Sequence, residues 1–489
     1  MVMKKLYKII KGEIGEFDSN SFIRLLKIFT MSALLVILYA SVFSGFQIVD
    51  EFEHLHASWL VSIGKIPYVD FFEHHNPLLW YIFAPIVSFL YNNVFVFYVM
   101  RGVSFLTSFL TLFYIYKIAS FWGKKECQWL AVSLALGNII TIYNFYQFRP
   151  DNFMNLCFII GVYYLFLYIK EKRIFDLIYS FLGFTFSFLF LQKIALLLIV
   201  VEAILIWLIF QKKLSIKSVS IAALPSIIVL FSFLFFLYYK GNLLDYYTLN
   251  FEFNKALVYY FERGNFWLKS IFISTYGLAI FFAIYYFKSQ NIYFKIVAIL
   301  YISEFLMRGF YFSPHPNYYT LLTFLASLVL SICATNLLKK YKILSLIVSI
   351  LLFINLGNLF NRLETSINKY NSYKHYLMSD YIHKNSQDDD FLMNGYDMNF
   401  NIYRKDVSYY WFGLDMLLPI IEQEYGLSNQ VDINALILKY RPKFIYTNDY
   451  VDLFAYRAYG ETKFTQKHIP EIIDSLYTST PFENLVILK

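Results

Sequence analysis

The chain has 489 residues, 58% of them hydrophobic and only 16% charged, with a mean hydropathy of +0.51. A soluble domain carries about 25% charge, so this composition excludes one and indicates a polytopic membrane protein. The net charge of +8 is scattered over short loops, which excludes a nucleic-acid-binding patch, and Cys127, Cys157 and Cys333 lie too far apart for a disulfide framework or a zinc site.

In chain order, residues 1–25 are basic but interrupted by acids, without a small-residue cleavage site, and read as a retained cytoplasmic tail. Apolar runs able to cross a bilayer follow at 28–47, 97–119, 128–145, 152–169, 174–191, 194–210, 218–238, 270–287, 293–310, 317–337 and 342–360, about eleven spans. With the N-terminus in the cytoplasm, alternate loops carry Lys124/Lys125, Lys170/Lys172/Arg173, Lys212/Lys213/Lys217, Lys288/Lys295 and Lys339/Lys340/Lys342. All five basic loops then fall inside, as the positive-inside rule requires. Counting 77–91 as a span breaks that alternation, so it reads as a helix at the outer surface.

An odd number of spans puts the C-terminus outside. Residues 361–489 are more polar, with helical patterns at 376–384, 414–425 and 433–440 and strand-like runs at 391–393, 444–447 and 485–488. The expected architecture is an all-α transmembrane domain over 1–360 and a small α/β extracytoplasmic domain over 361–489.

The chemistry concentrates in the first outer loop, 47–96. Between Phe46 and Tyr81 lie Asp50, Glu51, Glu53, Asp70 and Glu73 together with His54, His56, His74 and His75, four of the chain's eight histidines. Charge beside a bilayer is costly, so such a cluster reads as a working site. Phe52, Leu55, Trp59 and Ile63 recur at helical spacing, which predicts an amphipathic helix over 51–63 lying on the membrane, stopped at Gly64. A second helix starts at Pro77. A carboxylate here can deprotonate an acceptor hydroxyl, while imidazole, Arg or Lys neutralises the phosphate of a lipid-linked donor.

The Asp50-Glu51 pair after the first span, followed by G-x-x-P-Y-x-D-F-F-E-x-x-x-P-L-x-x-Y from Gly64 to Tyr81, resembles the GT-C glycosyltransferases. The resemblance is to the branch related to protein O-mannosyltransferases and aminoarabinose transferases, family 39-like. It implies a GT-C membrane fold, a polyprenyl-phosphate sugar donor, inversion at the anomeric carbon, and Asp50 as the catalytic carboxylate with Glu51 beside it. Aminoarabinose transferases carry Lys-Pro-Pro-Leu where this chain has His75-Asn76-Pro77-Leu78, so His75 stands where that lysine would meet the phosphate.

Further candidates lie at the outer ends of later spans. Asp151, beside Arg149, resembles a second acidic site residue; the alternative is a helix cap with a snorkelling arginine. Lys193, Arg308 and His315 join His75 as candidate contacts for the donor phosphate, and Glu304 is spaced to pair with Arg308 at i+4. Glu53, His54, Tyr68, Asp70, Glu73, His74, Arg149 and Tyr318 are candidate substrate-binding residues. Residues 240–268 read as an amphipathic lid or an inert interfacial helix. No cofactor is called for; a divalent metal on the histidines is the lesser alternative, because adjacent His74 and His75 rarely share an ion and helical His54 and His56 point to different faces.

The expected function is an inverting membrane glycosyltransferase of the bacterial inner membrane, passing a sugar from a polyprenyl-phosphate donor to a lipid, glycan or protein acceptor outside the cell. The alternatives are a lipid-sugar or solute transporter, or a GT-C polymerase or ligase using a diphosphate-linked donor. Transporters place charges at the bilayer midplane and show repeated halves; here the charges crowd at the outer interface and the sequence has no evident repeat.

Overall fold

The computed structural model describes residues 18–46, 48–255, 266–288, 290–310, 316–394, 400–409, 411, 433–446 and 469–489. Among the described residues, each of the eleven apolar runs falls largely on helix. Seven helices among the described residues are long and apolar enough to cross a membrane: Ser19–Phe43, Val96–Trp122, Pro150–Glu171, Gln192–Phe210, Ile216–Tyr239, Asn317–Thr335 and Lys342–Lys369. The first begins earlier and ends earlier than its apolar run.

The run at 128–145 is two helices, Lys125–Leu136 and Ile139–Asn144. Gly137 ends the first, and Asn138 starts the second by accepting a hydrogen bond from Ile140 N at 3.0 Å. The freed carbonyl of Gly137 accepts from Asn355 Nδ2 at 2.5 Å, which satisfies that group at the break.

The chain divides into two compact units. The first comprises Met1–Phe43, Gly102–Phe231 and Arg263–Lys369; the second comprises Ser44–Arg101, Ser232–Glu262 and Tyr370–Lys489.

In the first unit, Pro150–Glu171 and Ile174–Phe190 form a tight antiparallel pair joined at Lys172, whose φ of 59° makes the turn. Small residues allow the approach. A Cβ on Gly183 would stand 2.8 Å from Gly161 N and 2.9 Å from Cys157 O, and Ser180 Oγ donates to Gly161 O at 2.8 Å. Buried residues make up 83% of the most apolar window of Asn317–Thr335 but 11% of that of Ile216–Tyr239. The former is thus the central packing helix, and the latter turns its apolar side chains outward, toward lipid.

In the second unit, helix Ile48–Ser62 is buried on nearly every face, not laid amphipathically on a membrane as its pattern suggests. Its apolar face (Phe52, Leu55, Trp59) is buried as expected, but so is its polar face. Residues from the C-terminal segment cover it: His56 Nε2 meets Asp406 Oδ2 at 2.5 Å, its Nδ1 meets Ile402 O at 3.0 Å, and its ring lies 4.5 Å from that of Trp411. Helix Leu78–Phe89, by contrast, exposes Ile82, Ile86 and Phe89.

The C-terminal segment forms a five-stranded sheet in the order β2-β1-β3-β5-β4. The strands are β1 (Phe391–Met393), β2 (Lys405–Asp406), β3 (Phe444–Tyr446), β4 (Tyr477–Ser479) and β5 (Leu485–Leu488). β1 runs parallel to β2 and β3, while β5 is antiparallel to β3 and β4. Helices Ser372–Lys384, Ile433–Tyr440 and Ile469–Leu476 accompany it. Met378, Ile382, Leu392, Phe400 and Phe444 form one core cluster, and Met393, Ile437, Ile445 and Ile473 another. The helical pattern at 414–425 lies outside the described residues.

Candidate active site

The polar candidates gather into two clusters, one in each unit. In the second unit the organising element is helix Ile48–Ser62. A spacing of three and four residues puts Asp50, Glu53 and His54 on one face. Glu51 points elsewhere. It is fully buried and held by Arg101, whose Nε and Nη2 lie 2.9 Å and 2.5 Å from its two oxygens. Arg101 Nη2 also donates to Ser44 O at 2.8 Å, and the guanidinium stacks 4.3 Å over Phe97. The second acid of the pair is therefore a bidentate anchor that fixes the turn carrying half-buried Asp50. Sequence reasoning missed Arg101. Its signal was a lone arginine near the start of an apolar run.

One helical turn beyond Asp50, Glu53 meets Glu73 and His75. His75 Nδ1 lies 3.4 Å from Glu53 Oε1 and 3.4 Å from Glu73 Oε2. Burial pushes the Glu53 carboxyl up to about 7, while His74 and a hydrogen bond with Glu73 restrain the rise. Burial, and then the charge of Glu53, push Glu73 well above the ordinary carboxylate range. Burial thus biases both acids toward the protonated form.

His74 belongs to a different contact. Its Nδ1 faces Asn254 Oδ1 at 2.9 Å, and Asn254 Nδ2 donates back to His74 O at 2.7 Å. Burial, and then the charge of His75, hold His74 down to about 4, so it is neutral.

Tyr68 and Asp70 shape the loop. Asp70 Oδ2 accepts from Ile66 N at 2.7 Å. Tyr68 sits at φ 70°, a conformation that is strained for any residue with a Cβ, and it is pinned from two sides. Its hydroxyl donates to His75 O at 2.6 Å, and its own carbonyl accepts from the Tyr409 hydroxyl at 2.6 Å.

The segment after residue 240 braces the same loop. Asn242 Nδ2 donates to Pro67 O at 3.2 Å, and the Tyr246 hydroxyl donates to Asn76 Oδ1 at 3.0 Å. Residues 256–265 of the expected lid lie outside the described residues.

Glu53, His54 and His75 bring ligand atoms within 4.8 Å of one another, as a metal site would. The Trp80 indole N–H, however, is aimed at His54 Nδ1 at 3.3 Å. That occupies one ring nitrogen and puts the proton on the other, so His54 has no lone pair ready for an ion.

In the first unit, Arg149, Asp151, Lys193, Arg308 and Tyr318 come together. Pro150 opens helix Pro150–Glu171 and places Asp151 in its first turn. Asp151 is not merely a cap. It is buried, one oxygen takes Lys193 Nζ, and the other accepts from Arg149 Nε at 3.4 Å. Lys193 reaches it from the short 3₁₀ turn Gln192–Ile194, where extended Leu191 interrupts two apolar helices. Lys193 Nζ lies 4.0 Å from the centroid of Tyr318, and Arg308 Cζ lies 5.8 Å from the same ring. Arg308 Nε pairs with Glu304 Oε1 at 2.7 Å, the i+4 contact that the spacing predicts. Among the described residues, three cations (Arg149, Lys193, Arg308) stand against two carboxylates (Asp151, Glu304). His315 lies outside the described residues.

Residues 74–239, a third of the chain, match the family described as dolichyl-phosphate-mannose-protein mannosyltransferase. No curated protein matches the chain. Among solved structures, the chain is similar to the apo-state crystal structure of ArnT from Cupriavidus metallidurans, with a TM-score of 0.49 and 10% identity, covering 78% of this chain and 84% of that one. The family match falls on the loop and helices that follow the Asp-Glu pair, and over residues 74–239 the chain is similar to the protein mannosyltransferases.

Proposed function

We propose that the protein is an inverting transferase that takes a sugar from a polyprenyl-phosphate donor and passes it to an acceptor hydroxyl outside the cell membrane. The observation that carries this reading is the cationic cluster of Arg149, Lys193 and Arg308 around Tyr318. Positive charge fixed at the ends of membrane helices suits a phosphate leaving group attached to a lipid, whose charge grows as the glycosidic bond breaks. Asp151 and Glu304 orient the cations and keep the site from being overcharged when empty.

Asp50 acts as base. It removes the proton of the acceptor hydroxyl as that oxygen attacks the anomeric carbon from the face opposite the phosphate. The new bond forms as the bond to the phosphate oxygen breaks, and inversion follows. Glu51, held by Arg101, keeps the Asp50 turn in place. Tyr68, Asp70 and His74 shape the wall of this loop, and the C-terminal sheet domain packs on the helix that carries Asp50.

The test is transfer in nanodiscs. Purified protein is supplied with a panel of polyprenyl-monophosphate sugars and, separately, with diphosphate-linked glycans. Consumption of one monophosphate donor, with an inverted product, supports the reading. Consumption of diphosphate donors alone points to a polymerase or ligase. Movement of lipid-sugar across the bilayer without any product points to a transporter.

A further inference from the structure

A tyrosine at positive φ needs support from its surroundings, and strain of this kind gathers where a site has to keep one shape. Three bonds hold Tyr68 at its φ of 70°. Its N–H donates to Phe71 O at 3.0 Å, its hydroxyl donates to His75 O at 2.6 Å, and its carbonyl accepts from the Tyr409 hydroxyl at 2.6 Å. The first two are local to the loop. The third comes from 341 residues away.

Phe72 is tied to the same stretch of the C-terminal segment. Its N–H donates to Tyr409 O at 2.9 Å, and its carbonyl accepts from Trp411 Nε1 at 3.1 Å. Both backbone groups of Phe72 and the carbonyl of Tyr68 thus end on Tyr409 and Trp411. Apolar packing alone tolerates sliding, whereas directional bonds to three backbone groups fix position along the loop. They bracket residues 69–71, and the Tyr68 hydroxyl passes the constraint on to the His75 backbone.

The flanks of edge strand β2 grip the rest of the first outer loop. Asp406 Oδ2 and Ile402 O meet the two ring nitrogens of His56 at 2.5 Å and 3.0 Å, and Asn401 Nδ2 donates to the other Asp406 oxygen at 3.0 Å. His56 leaves helix Ile48–Ser62 on a different side from Asp50. Past the end of helix Leu78–Phe89, the Tyr403 hydroxyl donates to Leu90 O at 2.9 Å and Arg404 Nη1 to Asn92 Oδ1 at 2.6 Å. Arg404 is buried and anchored in its own segment by His383 O and Ser386 O, each at 3.1 Å. Ile402, Tyr403, Arg404, Asp406, Tyr409 and Trp411 therefore hold the helix that carries Asp50, the loop after it and the helix beyond.

We propose that Tyr409 and Trp411 are positioning residues for sugar transfer: by fixing Tyr68 and Phe72 they set the shape of the loop that brings His75 to Glu53, and the C-terminal sheet domain is a working part of the site. The role in transfer rests on the functional reading above; the hold on the loop does not.

The experiment uses the full chain in nanodiscs and has two arms. Tyr409→Phe/Trp411→Phe keeps an aromatic ring at each position and removes the hydroxyl and the indole N–H. Thr480→Val is the control, because it removes a bond to Leu485 O at 2.8 Å beside the opposite edge strand, β4. In the first arm, hydrogen exchange read by mass spectrometry follows the amides of residues 66–75 without any ligand. They are expected to exchange at least about tenfold faster in the double variant than in the wild type, and at the wild-type rate in Thr480→Val. The second arm is steady-state transfer from the polyprenyl-monophosphate sugar that the wild type consumes. In the double variant kcat per folded protein is expected to fall at least about tenfold while the donor KM changes less than about threefold, and Thr480→Val keeps the wild-type kcat. If the double variant does not fold, Tyr409→Phe alone takes its place, with an effect of at least about threefold expected on both exchange and kcat.

Unchanged exchange over residues 66–75 overturns the proposal. So does faster exchange with an unchanged kcat, and so does a fall in kcat that Thr480→Val matches, which is an effect of stability alone. A wild type that moves no sugar from any donor overturns the functional reading and the role in transfer with it, while the exchange arm still decides whether Tyr409 and Trp411 hold the loop.

Discussion

Arg101 holds both oxygens of Glu51, at 2.9 Å and 2.5 Å, inside the protein and one residue along from Asp50. Two adjacent acids therefore have different tasks: one is tied into the fold, and the other sits half-buried on the face that it shares with Glu53 and His54. Breaking a buried pair by removing one partner costs about 3–5 kcal/mol, because the charge left behind has no water. Arg101→Ala is expected to lower the melting temperature sharply in detergent, and Glu51→Gln to lower it less. Asp50→Asn is expected to melt like the wild type.

Lys193 is held between Asp151 and the Tyr318 ring. Lys193→Met removes one of three cations. The expected result is a donor KM raised at least about tenfold, equivalent to about 1.4 kcal/mol of lost binding, with a smaller change in the KM for the acceptor. Steady-state kinetics with each substrate varied in turn checks this. Equal losses for donor and acceptor would place Lys193 in general stability and not at the phosphate.

The crossing of Gly161 and Gly183 leaves no room for a side chain, since a Cβ on Gly183 meets backbone at 2.8–2.9 Å. Gly183→Leu is expected to destabilise the pair by about 1–3 kcal/mol or more, since backbone has to move. Thermal unfolding of the purified variant, compared with Gly102→Ala, where a Cβ has nothing within 4 Å, measures it.

Acid is expected to destabilise the second unit. His74, His375 and His383 are held down to about 4, about 4 and about 3 by burial. Each contributes stability that is fully present above the unfolded value of about 6.5 and is lost as pH falls toward its folded value. Glu53 acts in the opposite direction. With its folded value raised to about 7, it contributes stability that is full below the ordinary carboxylate range and lost as pH rises through about 7. Glu73, raised well above the ordinary carboxylate range, acts in the same direction as Glu53. Three groups against two leave the net slope between about pH 6.5 and about pH 4.5 positive with pH. His383 shows why: its Nδ1 donates to Ser379 O at 2.7 Å and its Nε2 accepts from Tyr403 N at 3.2 Å, so a second proton has no acceptor. Melting curves across this range in His383→Gln should be flatter than in the wild type, from a lower start.

Much of this was legible in the chain. The eleven apolar runs, helix Ile48–Ser62 and strands β1, β3 and β5 follow from periodicity and turn residues, which are local signals. Lys193 and Arg308 were legible because charge at the end of an apolar run is conspicuous. The partners were not. Glu51 finds Arg101 across 50 residues, His74 finds Asn254 across 180, and His56 finds Asp406 across 350. The same distance effect explains the misread helix: Phe52, Leu55 and Trp59 mark an apolar face, but nothing local says that Ile402, Asp406 and Trp411 will cover the polar one. The break at Gly137-Asn138 was readable in hindsight, from a glycine followed by a capping asparagine within an otherwise apolar run.

The central claim, that Asp50 activates an acceptor for sugar transfer, is tested most directly by comparing envelope glycans in a strain lacking the gene, complemented with wild type or with Asp50→Asn at equal membrane abundance. Mass spectrometry is expected to find one sugar modification restored by the wild type and absent with Asp50→Asn. Full restoration by Asp50→Asn would contradict the account.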